Sequence, residues 1–120
     1  IDYIIDCEIE EYSSIDEFYK KNKNKIIFYI TRYAKKVYSD EDFSSPVEDY
    51  YFVFGRESTG IPYEILKDNI ENCLRIPMQA NSRSLNLSNC VAIVSYEACR
   101  QQEFYELSTE ETFKGKDFIY

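Results

Sequence analysis

Apolar residues in this chain gather into three short runs and one long one. In Ile26-Ile27-Phe28-Tyr29-Ile30 consecutive positions are apolar, so both faces of a strand there need cover, as in a parallel strand packed between layers. Tyr50 to Phe54 repeats the pattern. Cys73 to Ile76 gives a shorter version, closed by Pro77, which cannot donate to a ladder. From Leu87 through Glu103 the apolar positions are nearly continuous over Cys90 to Val94, then thin to Tyr96, Ala98 and Cys99. That breadth predicts a long helix starting near Asn86, covered on more than one side by the sheet and by a second subunit, with Asn86 or Ser88 as its cap.

Two shorter helices fit between these runs. Ser14 can cap a helix carrying Glu17 three positions on, as in a capping box, with Ile15, Phe18 and Tyr19 on one face. Lys20 to Lys25 reads as its solvated end and turn. Pro62 suits the first turn of a short helix through Asn69, and Asp40 to Pro46 reads as an acidic turn region. The order is helix, strand, strand, short helix, strand, long helix, an α/β arrangement. The 120 residues fit a single domain, with 107–120 as a carboxyl-terminal surface extension that turns at Lys114-Gly115-Lys116.

Charge narrows the candidate partners. A formal net charge of -8 opposes broad attraction to nucleic acid or anionic membrane, while leaving room for a local cluster of Arg and Lys on an RNA substrate. Cys7, Cys73, Cys90 and Cys99 show no C-x-x-C spacing and the chain has no His, which argues against a metal site. No run of 18 apolar residues is present, so the expectation is a soluble, cytoplasmic protein without membrane attachment. The chain opens at Ile1 without an initiator Met, and the expectation is an amino-terminally truncated domain.

Candidate chemistry sits in the segments that follow the strands. Thr31 to Lys36 places hydroxyl and cationic side chains at the end of the first strand. Gly55-Arg56-Glu57-Ser58-Thr59-Gly60 follows the second, and its glycines allow tight folding around a ligand, although it is neither G-x-G-x-x-G nor a Walker motif. Ala80 to Ser84 follows the third and is unusually polar for a connection between buried elements. Loops at the carboxyl ends of parallel strands are where open α/β sheets bind ligands. A plainer reading makes Ser84 and Asn86 caps of the long helix and nothing more.

Phe54-Gly55-Arg56-Glu57-Ser58-Thr59-Gly60-Ile61-Pro62 resembles the second motif of the SpoU-type, SPOUT-fold RNA 2'-O-ribose methyltransferases. Ile76-Pro77-Met78, Ser84-Leu85-Asn86-Leu87-Ser88 and Val91-Ala92 resemble the third, and Asn89, Tyr96 and Glu97 fit the TrmL-like branch that acts on the tRNA wobble nucleotide. The resemblance runs from about Ile26 to Arg100. It implies a parallel α/β sheet with a carboxyl-terminal trefoil knot, bent S-adenosylmethionine bound at the knot, a homodimer, and methylation of the ribose 2'-hydroxyl of nucleotide 34 in the anticodon stem-loop of leucine tRNAs. By the same resemblance Ser84 and Asn86 stand at the reaction centre. Thr31, Gly55, Glu57, Gly60, Ile76, Met78 and Leu85 contact the cofactor. Lys35, Lys36, Arg56 and Arg83 are the candidates for a basic RNA-binding rim. The first-motif arginine of the family has no match in Arg32, Arg56 or Arg83. Two other readings therefore stand beside the enzyme: a catalytically incomplete RNA- or nucleotide-binding module, and a homodimeric structural domain.

Overall fold

A computed structural model describes residues 8–81, 86–105 and 107–120. Three parallel strands form one sheet in the order β2-β1-β3, with β1 at Ile26–Ile30, β2 at Tyr50–Val53 and β3 at Cys73–Leu74. Ile26 stands opposite Tyr50 and Tyr29 opposite Val53 on one side of β1, and Tyr29 stands opposite Cys73 on the other. Both flanking strands run out before the expected Phe54 and Ile76. Beyond β2 the backbone bends into the glycine loop, and beyond β3 Arg75 continues as an isolated parallel bridge to Val37.

The consecutive apolar residues of β1 divide between two cores, as a covered strand requires. On one face Tyr29 packs with Ala34, Ile61 and Cys73, joined by Tyr19 from α1 (Ile15–Lys21) and by Ile65 and Leu66 from α2 (Tyr63–Lys67). On the other face Phe28 packs with Phe43 and Leu74, joined by Phe52 and by Ala98 from α3 (Leu87–Gln101). Phe43 is fully buried and meets Phe28, Tyr50 and Phe52 edge-on, with ring centroids 5.2–5.7 Å apart. The acidic turn region thus hides an aromatic plug. Its seat follows the 3-10 turn Tyr38–Asp40.

The helix ends follow their caps. Ser14 Oγ accepts from the Glu17 amide at 3.2 Å, while the Glu17 carboxylate reaches back to the Ser13 amide at 3.1 Å, one residue earlier than a standard capping box. Pro62 serves as the N-cap of α2 rather than a residue of its first turn, and α2 stops at Lys67, before Asn69. Instead of extending α2, Asn69 donates its side-chain amide back to the Ile65 carbonyl at 2.7 Å. α3 ends at Gln101 rather than Glu103, because Glu103 and Phe104 adopt φ of 57° and 56° and so leave the right-handed helix.

A polar lock fastens the carboxyl end of α3 to the loop beneath it. Gln101 accepts from the Phe43 amide at 2.6 Å and donates to the Glu41 carbonyl at 2.9 Å, and Gln102 donates to the Phe43 carbonyl at 2.8 Å. Arg100 grips the Glu97 carboxylate through two hydrogen bonds of 2.9 Å, and Gln101 adds a third. One side of α3 is covered in this way, through buried Val94 and Ala98. Elsewhere along α3, Val91 is 41% and Tyr96 63% exposed within the single chain.

Candidate active site

The three strands are parallel, so their carboxyl ends open on one edge of the sheet, and the amino end of α3 arrives there as well. At the end of β1, the Thr31 amide donates to the Leu74 carbonyl at 2.9 Å, prolonging the ladder by one residue. Thr31 Oγ1 then accepts from the Tyr33 amide and the Thr31 carbonyl from the Ala34 amide, both at 3.3 Å, which makes a hydroxyl-supported turn. Ala34 is drawn into the core, and Arg32 and Tyr33 are left exposed.

The loop after β2 closes on itself. The Gly60 amide donates to the Arg56 carbonyl at 2.8 Å, and the two residues form an antiparallel bridge. A Cβ on Gly55 would lie 2.2 Å from the Gly60 carbonyl carbon and 2.3 Å from the Ile61 nitrogen, so only glycine lets these two backbones meet. Gly60 needs its freedom for another reason, a φ of +71°. Buried Ile61 anchors the far end of the loop in the Tyr29 core.

The third wall comes from buried Ile76, from Met78 and from the start of α3. Asn86 Oδ1 accepts from the Ser88 amide at 2.8 Å, so Asn86 rather than Ser88 caps the helix. Cys90 follows one turn later, and burial pushes its thiol pKa up. Together residues 30–33, 54–61, 76, 78, 86, 87 and 90 line a cavity of about 450 Å³. That lies in the range of roughly 300–1,000 Å³ that takes small ligands and cofactors.

Eight of the expected site residues meet here: Thr31, Gly55, Arg56, Glu57, Gly60, Ile76, Met78 and Asn86. Arg83, Ser84 and Leu85 lie outside the described residues. Lys35 and Lys36 stand away from the cavity lining, and the Lys36 ammonium pairs with the Glu41 carboxylate. The lining also takes in Arg32, Tyr33, Phe54, Ile61, Leu87 and Cys90, which had no assigned role in the site from sequence. The first two were legible as neighbours of Thr31, and Cys90 as the residue four positions after Asn86 on one helix face. Among the described residues no group of three or more His, Cys, Asp or Glu could hold a metal ion, and no helix is long and apolar enough to cross a membrane. Cys73, Cys90 and Cys99 are thiols rather than disulfides.

The sequence pattern of the SpoU rRNA Methylase family matches residues 2–96, most of the chain. The chain belongs to the SpoU methylase family. Among its relatives is a Listeria monocytogenes serotype 4b protein named "Putative tRNA (cytidine(34)-2'-O)-methyltransferase", 50% identical over 118 residues that cover 98% of this chain and 70% of the relative. A crystal structure of a "putative RNA methyltransferase from Bacillus anthracis" superimposes with a TM-score of 0.87 at 49% identity, covering 92% of this chain and 69% of that one. A second structure, solved for insight into the "2-OH methylation of C/U34 on tRNA", gives a TM-score of 0.77 at 30% identity over 87% of this chain and 66% of that one. The cavity described above therefore lies on a SpoU-family sheet, between the two segments whose motifs resemble those of the family.

Proposed function

We propose that this SpoU-family chain transfers a methyl group from S-adenosylmethionine to the ribose 2'-hydroxyl of nucleotide 34, the wobble position of tRNA. The observation that carries the reading is the meeting of the glycine loop, Ile76, Met78 and Asn86 around one cavity, in a chain half identical to a relative with that name.

The residues present fit the cofactor. Ile61 and Ile76 give buried apolar wall for an adenine ring, the tight 55–60 loop brings backbone amides and carbonyls to the edge, and the Glu57 carboxylate offers negative charge to a cationic ligand. When bound, S-adenosylmethionine supplies a methyl group already activated on a sulfonium sulfur. The chain's own task is alignment, which can contribute several powers of ten in rate. Thr31, Gly55, Glu57, Gly60, Ile76 and Met78, with Leu85, hold the cofactor in this reading. Asn86 spends its carbonyl oxygen on the Ser88 amide, so its two amide hydrogens remain to orient a ribose oxygen. Ser84, two residues earlier, completes the reaction centre.

Further parts of the proposal rest on the family resemblance. The domain is a single SPOUT unit whose carboxyl-terminal part is knotted, with 107–120 as an extension. It works as a homodimer in the cytoplasm on the anticodon stem-loop of leucine tRNAs, with Lys35, Lys36, Arg56 and Arg83 as a basic rim. Val91 and Tyr96, exposed at two places on α3, support the dimer.

Calorimetric titration with S-adenosylmethionine and S-adenosylhomocysteine, with ATP as control, tests the cavity. Transfer of labelled methyl to leucine tRNA, mapped by resistance of the bond after nucleotide 34 to alkali, tests the reaction. Saturable binding of the first two ligands with label at nucleotide 34 is expected. A folded protein that binds neither ligand, or that labels another nucleotide, overturns the reading.

A further inference from the structure

The cavity rim carries an aromatic side chain that the cofactor reading leaves without a task. Tyr33 lines the cavity yet is 77% exposed, so most of its surface faces out of the site. The Thr31 turn fixes it there, since Thr31 Oγ1 accepts from the Tyr33 amide at 3.3 Å while buried Ala34 pins the next residue in the core. The Arg32 guanidinium lies over the Tyr33 ring, 5.5 Å from its centroid, and Arg32 lines the same rim. Across the opening, Arg56 in the closed glycine loop adds a second cation.

A cavity of about 450 Å³ is taken up by one cofactor-sized molecule, so the nucleotide that presents its ribose there must keep its base and phosphates outside, at the rim. A base drawn out of its strand needs a flat partner, and proteins supply one as an aromatic ring or a guanidinium plane.

We propose that Tyr33, backed by Arg32, is the stacking platform for the base of the nucleotide being methylated. The inference rests on the function proposed above and deepens it. Stacking has no hydrogen-bond code, so this platform accepts any base and leaves the choice of position to the rest of the RNA. The platform binds RNA and contributes nothing to holding the cofactor.

The test uses an anticodon stem-loop with the fluorescent base pyrrolocytosine at position 34, added to the full chain and to its Tyr33→Phe and Tyr33→Leu variants. For each protein the fluorescence quench, the KM and kcat of methyl transfer to the unlabelled stem-loop, and the S-adenosylmethionine Kd are measured. Tyr33→Phe should keep the quench, with KM within about twofold of the parent. Tyr33→Leu should lose the quench and raise KM on the order of tenfold to a hundredfold, with cofactor Kd unchanged. Retained quenching in Tyr33→Leu, or a weakened cofactor Kd, overturns the assignment and in the second case makes Tyr33 part of the cofactor site. Failure of the parent chain to methylate position 34 is a different result, which overturns the functional reading and this inference together.

Discussion

Gly55 and Gly60 bound one loop yet answer to different constraints. At Gly55 an added methyl would sit 2.2 Å from backbone that cannot rotate away, whereas at Gly60 it would meet open space and the cost is the φ of +71° alone. Gly55→Ala should therefore cost about 3 kcal/mol or more and abolish cofactor binding, since the loop must open. Gly60→Ala should cost only about 1–2 kcal/mol. Urea midpoints for the two variants check the order, and a larger loss at Gly60 would contradict the close approach at Gly55. Asn86 caps α3, and the second task proposed for it can be separated from that one. Asn86→Ala loses the cap, about 1 kcal/mol, together with methyl transfer. Asn86→Asp keeps an acceptor for the Ser88 amide but has no amide hydrogens, so stability should return without activity. Return of both would make Asn86 a cap and nothing else.

At the scale of elements, the strands and the long helix were legible because their apolar runs are continuous and differ in length, the short runs fitting covered strands and the long one a helix. Ile26 to Ile30 announced a strand covered on both faces, and the two cores around Tyr29 and Phe28 are that cover. The meeting of the loops after the three strands was legible too, since parallel strands must deliver their carboxyl ends to one edge. What sequence could not show was contact between segments far apart in the chain. Phe43, inside a run of acidic and serine residues, gave no sign of being a plug, because its burial depends on Gln101 and Gln102 almost sixty positions away. The stop of α3 before Glu103 was hidden for a similar reason, as neither Glu103 nor Phe104 is a residue that usually turns left-handed. The α3 lock also makes a prediction about acid. Hydrogen bonds from Arg100, the larger effect, and from Gln101 hold the Glu97 carboxyl below its usual pKa. A lowered folded-state pKa stabilises the protein above the unfolded value, about 4.3, and that contribution disappears as pH falls through the lowered value. Glu97→Gln should therefore lower Tm at neutral pH, and its deficit should close as Tm is followed down to about pH 3. A deficit independent of pH would make the shape of the side chain, and not its charge, the source of the effect.

The whole molecule shows more surface than its mass calls for. Its accessible area is 10009 Å² at 14.3 kDa, whereas a compact monomer of that mass exposes roughly 6,800 Å². Val91 and Tyr96 on α3 contribute to the excess, as do Phe113, Ile119 and Tyr120 in the extension. If the proposed homodimer covers α3, sedimentation of the parent chain should show a dimer and Val91→Glu a monomer with the same helical content. A dimer that survives the charge would place the subunit contact elsewhere.

The position of β1 between β2 and β3 also ranks the parts of the protein by how readily they open. Among the described residues neither flanking strand has another neighbour, so each can fray while the centre persists, but loss of β1 dissolves this sheet and both cores in one event. In deuterium oxide the central amides of β1 should thus be the last to exchange, at a rate set by global unfolding, while those of the 55–60 loop exchange long before. The edge that holds the cavity can then breathe at a small cost in free energy, while the strand that carries Thr31 and Tyr33 to that edge stays in register.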